Sequence, residues 1–199
     1  MTVLAIDSAS REHAWVVLAT AEGAVVEQRD AQGGGLDRTL PVMIAGLGLD
    51  EVIAVVVLTG PGSYSGVRAG MAAALGFAAA RSLPLHGVGS LTAIALAAGA
   101  GEGTELTAVS DAGRGGVYAA RFVRRAGRLE QLSAVQRLTP DRVDSAGRLV
   151  ASEPIPGLTV EQLDRVGVLA AAVPWALALP PLDPLGLTAT HAEPAATAA

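Results

Sequence analysis

The segment LTGPGSYSGVRAG, residues 58–70, has the make-up of a phosphate-binding turn. A hydrophobic run precedes it, glycines and serines fill it, and a helix-like stretch follows. Backbone N–H groups at such a helix start attract anions. The spacing argues otherwise. A P-loop reads G-x-x-x-x-G-K-[ST] and needs its lysine at the outer phosphates, whereas all fourteen basic residues here are arginine. Gly60, Gly62 and Gly66 are spaced G-x-G-x-x-x-G, one residue longer than the dinucleotide fingerprint. Ser63 follows Gly62 directly, which breaks the G-x-S-x-G of a nucleophilic serine, and no histidine lies near it. Helix capping or turn support is the expected role of Ser63 and Ser65.

Other chemistry is thinly represented. His13, His86 and His191 are isolated, with no H-x-x-x-H pair, so no metal site is expected. The absence of cysteine excludes disulfides and thiol catalysis. A net charge of −5 disfavours unaided nucleic-acid binding. Arg121, Arg124, Arg125 and Arg128 surround an expected hairpin turn, either as a solvated tip or as a contact for nucleic-acid phosphates within a larger assembly. The chain is 51% hydrophobic and only 3% aromatic, so its core must be built from many small contacts. The amino terminus lacks the basic-then-apolar pattern of a signal peptide, and the long uncharged runs are broken by proline. A soluble, cytoplasmic protein without a membrane span is expected.

The elements that would position these residues come in two similar sets. Strands are expected at 2–6, 13–20 and 24–31, a helix at 36–47 limited by Pro41, a strand at 52–58, a helix at 65–81, a strand at 84–88 and a helix at 90–99. The second set has strands at 106–110, 116–123 and 128–135, a helical turn at 139–146, a strand at 148–152 and a helix at 159–173. Asp7 to Gly23 and Asp111 to Gly127 each span sixteen positions and enclose the same order of strand, aspartate, turn and strand. A three-strand meander followed by alternating helices and parallel strands is the ribonuclease-H-like plan. Written twice, it gives an α/β, two-lobed, actin-like (ASKHA) fold. The expected division is an amino-terminal lobe at 1–101, a reduced carboxyl-terminal lobe at 102–180 and a tail, partly disordered, at 181–199. In ATP-using proteins of this plan, strand-end aspartates handle Mg²⁺ and phosphates. Asp7, Ser8, Asp111 and Gly113 are therefore the candidates for a nucleotide cleft; the competing reading has each aspartate bonding the amides of its own turn.

Beyond the opening turn, Gly66, Gly70, Ala74 and Ala78 recur every four residues as a nearly bare helix ridge, beside Val67, Met71 and Leu75. Glycine inside a helix costs about 1 kcal/mol relative to alanine, so another backbone must come close. It belongs either to the protein's own sheet or to a helix of a partner.

The segments LAIDSAS, GPGSYSGVRAGMAAALGFAAA, LPLHGVGSLTAIA and SDAGRGGVYAARF, in this order, resemble the TsaB family. That family supplies the small actin-like subunit of the bacterial complex that makes threonylcarbamoyladenosine in tRNA. The resemblance implies a non-catalytic scaffold that needs no cofactor. It would pair with a TsaD-type catalytic subunit, be joined by a TsaE-type ATPase, meet tRNA only through the complex, and self-associate through related surfaces. Carried onto this chain, the pairing surface is Leu36, Leu40, Met43 and Leu47 on the first helix, with Gly66, Val67, Arg68, Gly70, Met71, Ala74 and Leu75 on the second. The family's D-A-R-x-x-E-V-Y appears here as Asp111 to Tyr118 with glycine at 116 in place of the glutamate. Its late P-L-Y-L-R appears at 184–188 without the arginine. The reading from a different class is an ATP-dependent transferase or kinase of the same fold that uses Asp7 and Asp111.

Overall fold

The computed structural model describes residues 1–10, 13–144 and 147–183. The first sheet contains β1 (Thr2–Asp7), β2 (His13–Ala19), β3 (Val25–Gln32), β4 (Val52–Leu58) and β5 (Leu85–Val88), in the order β3-β2-β1-β4-β5. β1, β2 and β3 pair antiparallel, as tight turns allow, while β1–β4 and β4–β5 are parallel and need helical crossovers. Alternation assigns the two faces. Leu4, Ile6, Val16, Leu18, Val55 and Val57 point to the outer side, under α1 (Leu36–Ala45) and α2 (Tyr64–Arg81). Val3, Ala5, Val17, Ala19, Ala54 and Val56 point to the inner side. A strand covered on both faces reads as a continuous hydrophobic run, and VIAVVVL in β4 is such a run.

The second sheet repeats the plan. β6 (Glu105–Gly113), β7 (Gly116–Arg125) and β8 (Arg128–Gln131) form the meander, β9 (Gln136–Leu138) pairs with β7, and β10 (Arg148–Ala151) and β11 (Glu161–Gln162) add parallel strands. Its order, β11-β10-β6-β7-β8, is the first sheet's order with each strand replaced by its counterpart. The duplicated ribonuclease-H-like, actin-like fold is thus present in the connectivity itself. The outer face of the second sheet carries only a thin layer, in which Val143 and Ile155 cover Val109, Val117 and Leu149.

Between the sheets lie α3 (Ser90–Ala97) and α4 (Arg165–Leu177), packed side by side. They exchange partners: α3 follows the first sheet but touches β6 and β7, whereas α4 follows the second sheet but touches β1 and β2. One core therefore joins Val3 and Val17 to Leu106 and Phe122 through Leu91, Ile94, Leu169 and Val173.

Several expected elements are corrected. α1 ends at Ala45 rather than 47 and runs through Pro41. The backbone bond lost there is offset by burial of Leu36, Leu40, Met43 and Ile44. The expected strand 128–135 is confined to β8, which ends at Gln131, and β9 begins only at Gln136. The last helix begins at Arg165, not 159, because Asp164 is its cap, accepting from the Gly167 amide at 2.8 Å. Of the expected helical turn at 139–146, Pro140–Arg142 form a single 3-10 turn, and 145–146 lie outside the described residues. After α4 the chain returns to the first sheet, where the Leu182 amide donates to the Leu85 carbonyl at 2.7 Å and covers the β5 edge. The rest of the expected tail, with His191 and the 184–188 segment, lies outside the described residues.

No helix among the described residues is long and apolar enough to cross a membrane.

Candidate functional site

The glycine turn meets the turn that leaves β1. Ser63 caps α2 by accepting from the Gly66 amide at 3.4 Å, and its own amide donates to the Ala9 carbonyl at 2.7 Å. A Cβ on Gly62 would lie 2.5 Å from the Ala9 oxygen, and one on Gly66 only 2.1 Å from the Ser8 oxygen. On Gly70 it would lie 2.2 Å from Ser8 Oγ, which itself donates to the Gly66 carbonyl at 2.8 Å. The bare ridge exists for close backbone approach, and the backbone is the protein's own.

The structure places most residues of the expected pairing surface on the covered sides of α1 and α2. Gly66, Val67, Gly70, Met71 and Ala74 are buried, as are Leu36, Leu40, Met43 and Leu47. Their periodicity marks the core side of α1 and α2, because a helix in a sheet layer puts its apolar stripe on the sheet. Of the expected residues, Leu75 is half-buried and Arg68 is exposed; Arg68 donates to the Tyr64 hydroxyl at 2.8 Å. The sides of the same helices that face away from the sheet form a groove of about 440 Å³ lined by Pro41, Ala45, Leu49, Ala73, Gly76 and Phe77, among others. Val42 beside it is 72% exposed. Among the described residues no charged side chain lines the groove. Among the described residues a Cβ on Gly76 would meet nothing within 4 Å, so no contact there calls for a glycine, unlike at Gly66.

The two glycines predict opposite responses to alanine. Gly66→Ala gains about 1 kcal/mol of helix propensity but drives a methyl group into a fixed carbonyl, and overpacking of that kind costs on the order of 1–3 kcal/mol. Gly76→Ala keeps the propensity gain alone. Urea denaturation of both variants should show the first less stable and the second more stable than the parent.

The second region is the cleft between the sheets, where the aspartates repeat one turn. Asp7 Oδ1 accepts from the Ala9 amide and Asp111 Oδ1 from the Gly113 amide, both at 2.8 Å. Asp7 is fully buried, and its Oδ2 accepts from Arg165 Nη1 at 2.7 Å. Arg165 Nη2 meets Glu153 at 2.9 Å, and the guanidinium lies 5.0 Å from the Trp15 ring centre. Burial opposes the Arg165 charge, but Asp7 and Glu153 outweigh it and hold its pKa above the ordinary arginine value. The enclosed space is about 10 Å³, room for a single water and far too little for a nucleotide. Ser8, the third cleft candidate, is turned away from this space onto α2. Gly113, the fourth, accepts from Arg137 through its carbonyl at 2.9 Å. That guanidinium lies over Gly116, where a Cβ would stand 2.8 Å from its carbon, and so fills the place of the family's glutamate.

Arg165 was invisible to sequence reasoning because its partner lies 158 residues away. The available signal was a lone cation opening an apolar helix, where the macrodipole disfavours it.

Among the described residues no group of three or more histidine, cysteine or acidic side chains is placed to hold a metal ion. His13 stacks on Trp15. Of the hairpin arginines, Arg121 pairs with Glu105 and Arg125 with Glu130, while Glu102 accepts from the Gly127 amide at 3.2 Å.

His86, on β5, is buried with Nδ1 unbonded. Burial lowers its pKa, against hydrogen bonds with the backbone at Leu179 and Ala176 that favour the charged form. The unfolded chain therefore binds this proton more tightly than the folded one. The contribution of neutral His86 is complete above about pH 6.5 and declines as the pH falls below it. Replacing His86 by glutamine should flatten the loss of urea midpoint on acidification through that range.

With this geometry in place, the TsaD family, tRNA N6-adenosine threonylcarbamoyltransferase, matches residues 42–188. The chain belongs to this family. Uncharacterized proteins of Mycobacterium bovis and Mycobacterium tuberculosis are 35% identical over 98% of this chain and 95% of their own length. The tRNA threonylcarbamoyladenosine biosynthesis protein TsaB of Haemophilus influenzae is 33% identical, over 62% of this chain and 55% of that protein. The TsaB kinship expected from the four sequence segments is borne out. YeaZ from Pseudomonas aeruginosa superposes with a TM-score of 0.68 over 96% of this chain and 100% of that one. At 21% identity that likeness concerns the fold.

Proposed function

We propose that this family member serves tRNA threonylcarbamoyladenosine modification as a non-catalytic scaffold, pairing with a TsaD-type catalytic subunit through the outer faces of α1 and α2. Kinship with TsaB and with the TsaD family supports a place in that modification. The observation that carries the pairing surface is the apolar groove holding Gly76, a helix glycine with open space over it. A glycine that no internal contact requires fits a site where another backbone docks. A TsaE-type ATPase would join the assembled pair, and self-association would compete for the same groove. tRNA would be met through the complex, in keeping with the net negative charge and the acids beside Arg121 and Arg125.

The ATP-using reading draws no support from the cleft, where Arg165 already neutralises Asp7 and the remaining space is about 10 Å³. The deciding experiment mixes the purified protein with the TsaD-type protein of the same genome and follows tRNA modification with and without it. Dependence of modification on this chain, with no heat of binding when ATP and Mg²⁺ are added to it alone, is the expected result. Modification that proceeds equally well without it would overturn the scaffold role.

A further inference from the structure

The closed cleft contains more unsatisfied polar groups than the rest of the described core. Among the described residues Ser90 Oγ, Ser110 Oγ, Ser152 Oγ and Arg165 Nε have no hydrogen-bond partner, and all four residues line the same space of about 10 Å³. The three serines are more than nine-tenths buried. They come from different elements: Ser90 opens α3, Ser110 lies in β6, Ser152 follows β10, and Arg165 opens α4. Unsatisfied buried groups are rare and costly, and four around one cavity are not independent accidents.

The chemistry of the donors selects the occupant. Arginine Nε–H can only donate, so whatever sits there must accept a hydrogen bond, which rules out a metal cation. Asp111 and Glu153 line the space, and Arg165, its one lining cation among the described residues, is already paired with Asp7 and Glu153, which disfavours an anion. The volume admits one small molecule. We infer that this cavity is a binding site for a single structural water, which accepts from Arg165 Nε–H and bonds the serine hydroxyls, joining both halves of the fold at the one node. A hydroxyl donates or accepts as required, so three of them satisfy a tetrahedral water whichever way it turns.

A crystal structure of the whole protein, at a resolution that shows ordered solvent, tests the site directly. A single peak is expected within roughly 2.7–3.2 Å of Arg165 Nε and of at least two serine Oγ atoms. An empty cavity, an ion, or serine hydroxyls bonded instead to nearby carbonyls would overturn the inference. Serine-to-alanine variants at 90, 110 and 152 give a second readout. With a shared water, each single change lowers the urea midpoint, and the triple change costs clearly less than the three singles combined, because one water is lost once. If the hydroxyls are truly unbonded, removing them leaves the midpoint unchanged or raises it. That result, or simple additivity, would count against the site.

Discussion

Arg165→Met should lower the unfolding free energy by about 3–5 kcal/mol, the usual cost of breaking a buried ion pair from one side. The large value follows from what remains. Asp7 is 0% exposed, and without Arg165 its Oδ2 is left buried without the cation that pairs with it. Glu153 loses the same partner but is partly exposed, so water can solvate it. The decisive control is the double variant Asp7→Asn with Arg165→Met. Removing both charges leaves no uncompensated ion, so the pair should recover most of the loss. Arg165→Lys should recover little, since an ammonium cannot fork between two carboxylates while also lying over the Trp15 ring. Urea denaturation of the parent, Asp7→Asn, Arg165→Met and the double variant measures the cycle, with Arg165→Lys beside it. A single Arg165→Met variant as stable as the parent would show that Asp7 is not held by this contact.

Gly76→Glu should abolish co-purification with the TsaD-type subunit while leaving the protein folded. A side chain at 76 has open space, so the substitution does not disturb the core, and glutamate is a better helix former than glycine. Within an apolar groove, however, it would bury a carboxylate with no partner. A loss of 2 kcal/mol or more at such a central position, roughly 30-fold in Kd, is the scale of an interface hot spot. The contrast with Gly70 makes the experiment interpretable. A Cβ at 70 strikes Ser8 Oγ, so failure of a Gly70 variant would report on the core, whereas failure of Gly76→Glu with an unchanged melting curve reports on docking. Normal co-purification of a folded Gly76→Glu protein would move the interface elsewhere.

Much of the architecture could be read from the chain. The duplicated order of strands, the paired Asp7 and Asp111 turns and the continuous run of β4 depend on local propensity and short spacing, and all appear in the structure. The ridge on α2 was recognised as a place of close backbone approach. The backbone that approaches it was not, because Ser8 and Gly66 lie 58 residues apart. The same limit applies to the docking residues: apolar periodicity marks a face that is covered, without saying whether a sheet or a partner covers it. The exposed side, with Val42, Ala72 and Gly76, carries no periodic signal of its own.

By itself the sequence determined the family, the doubled sheet plan and the absence of cysteine and lysine chemistry, since these rest on residue identity and on order along the chain. Only the tertiary structure decided that α3 and α4 trade sheets, that Arg165 closes the cleft onto Asp7, and that Gly66 and Gly76 face opposite ways. Each depends on which distant surfaces pack together. That outcome is set by the summed burial and pairing of both halves, and no single segment encodes it.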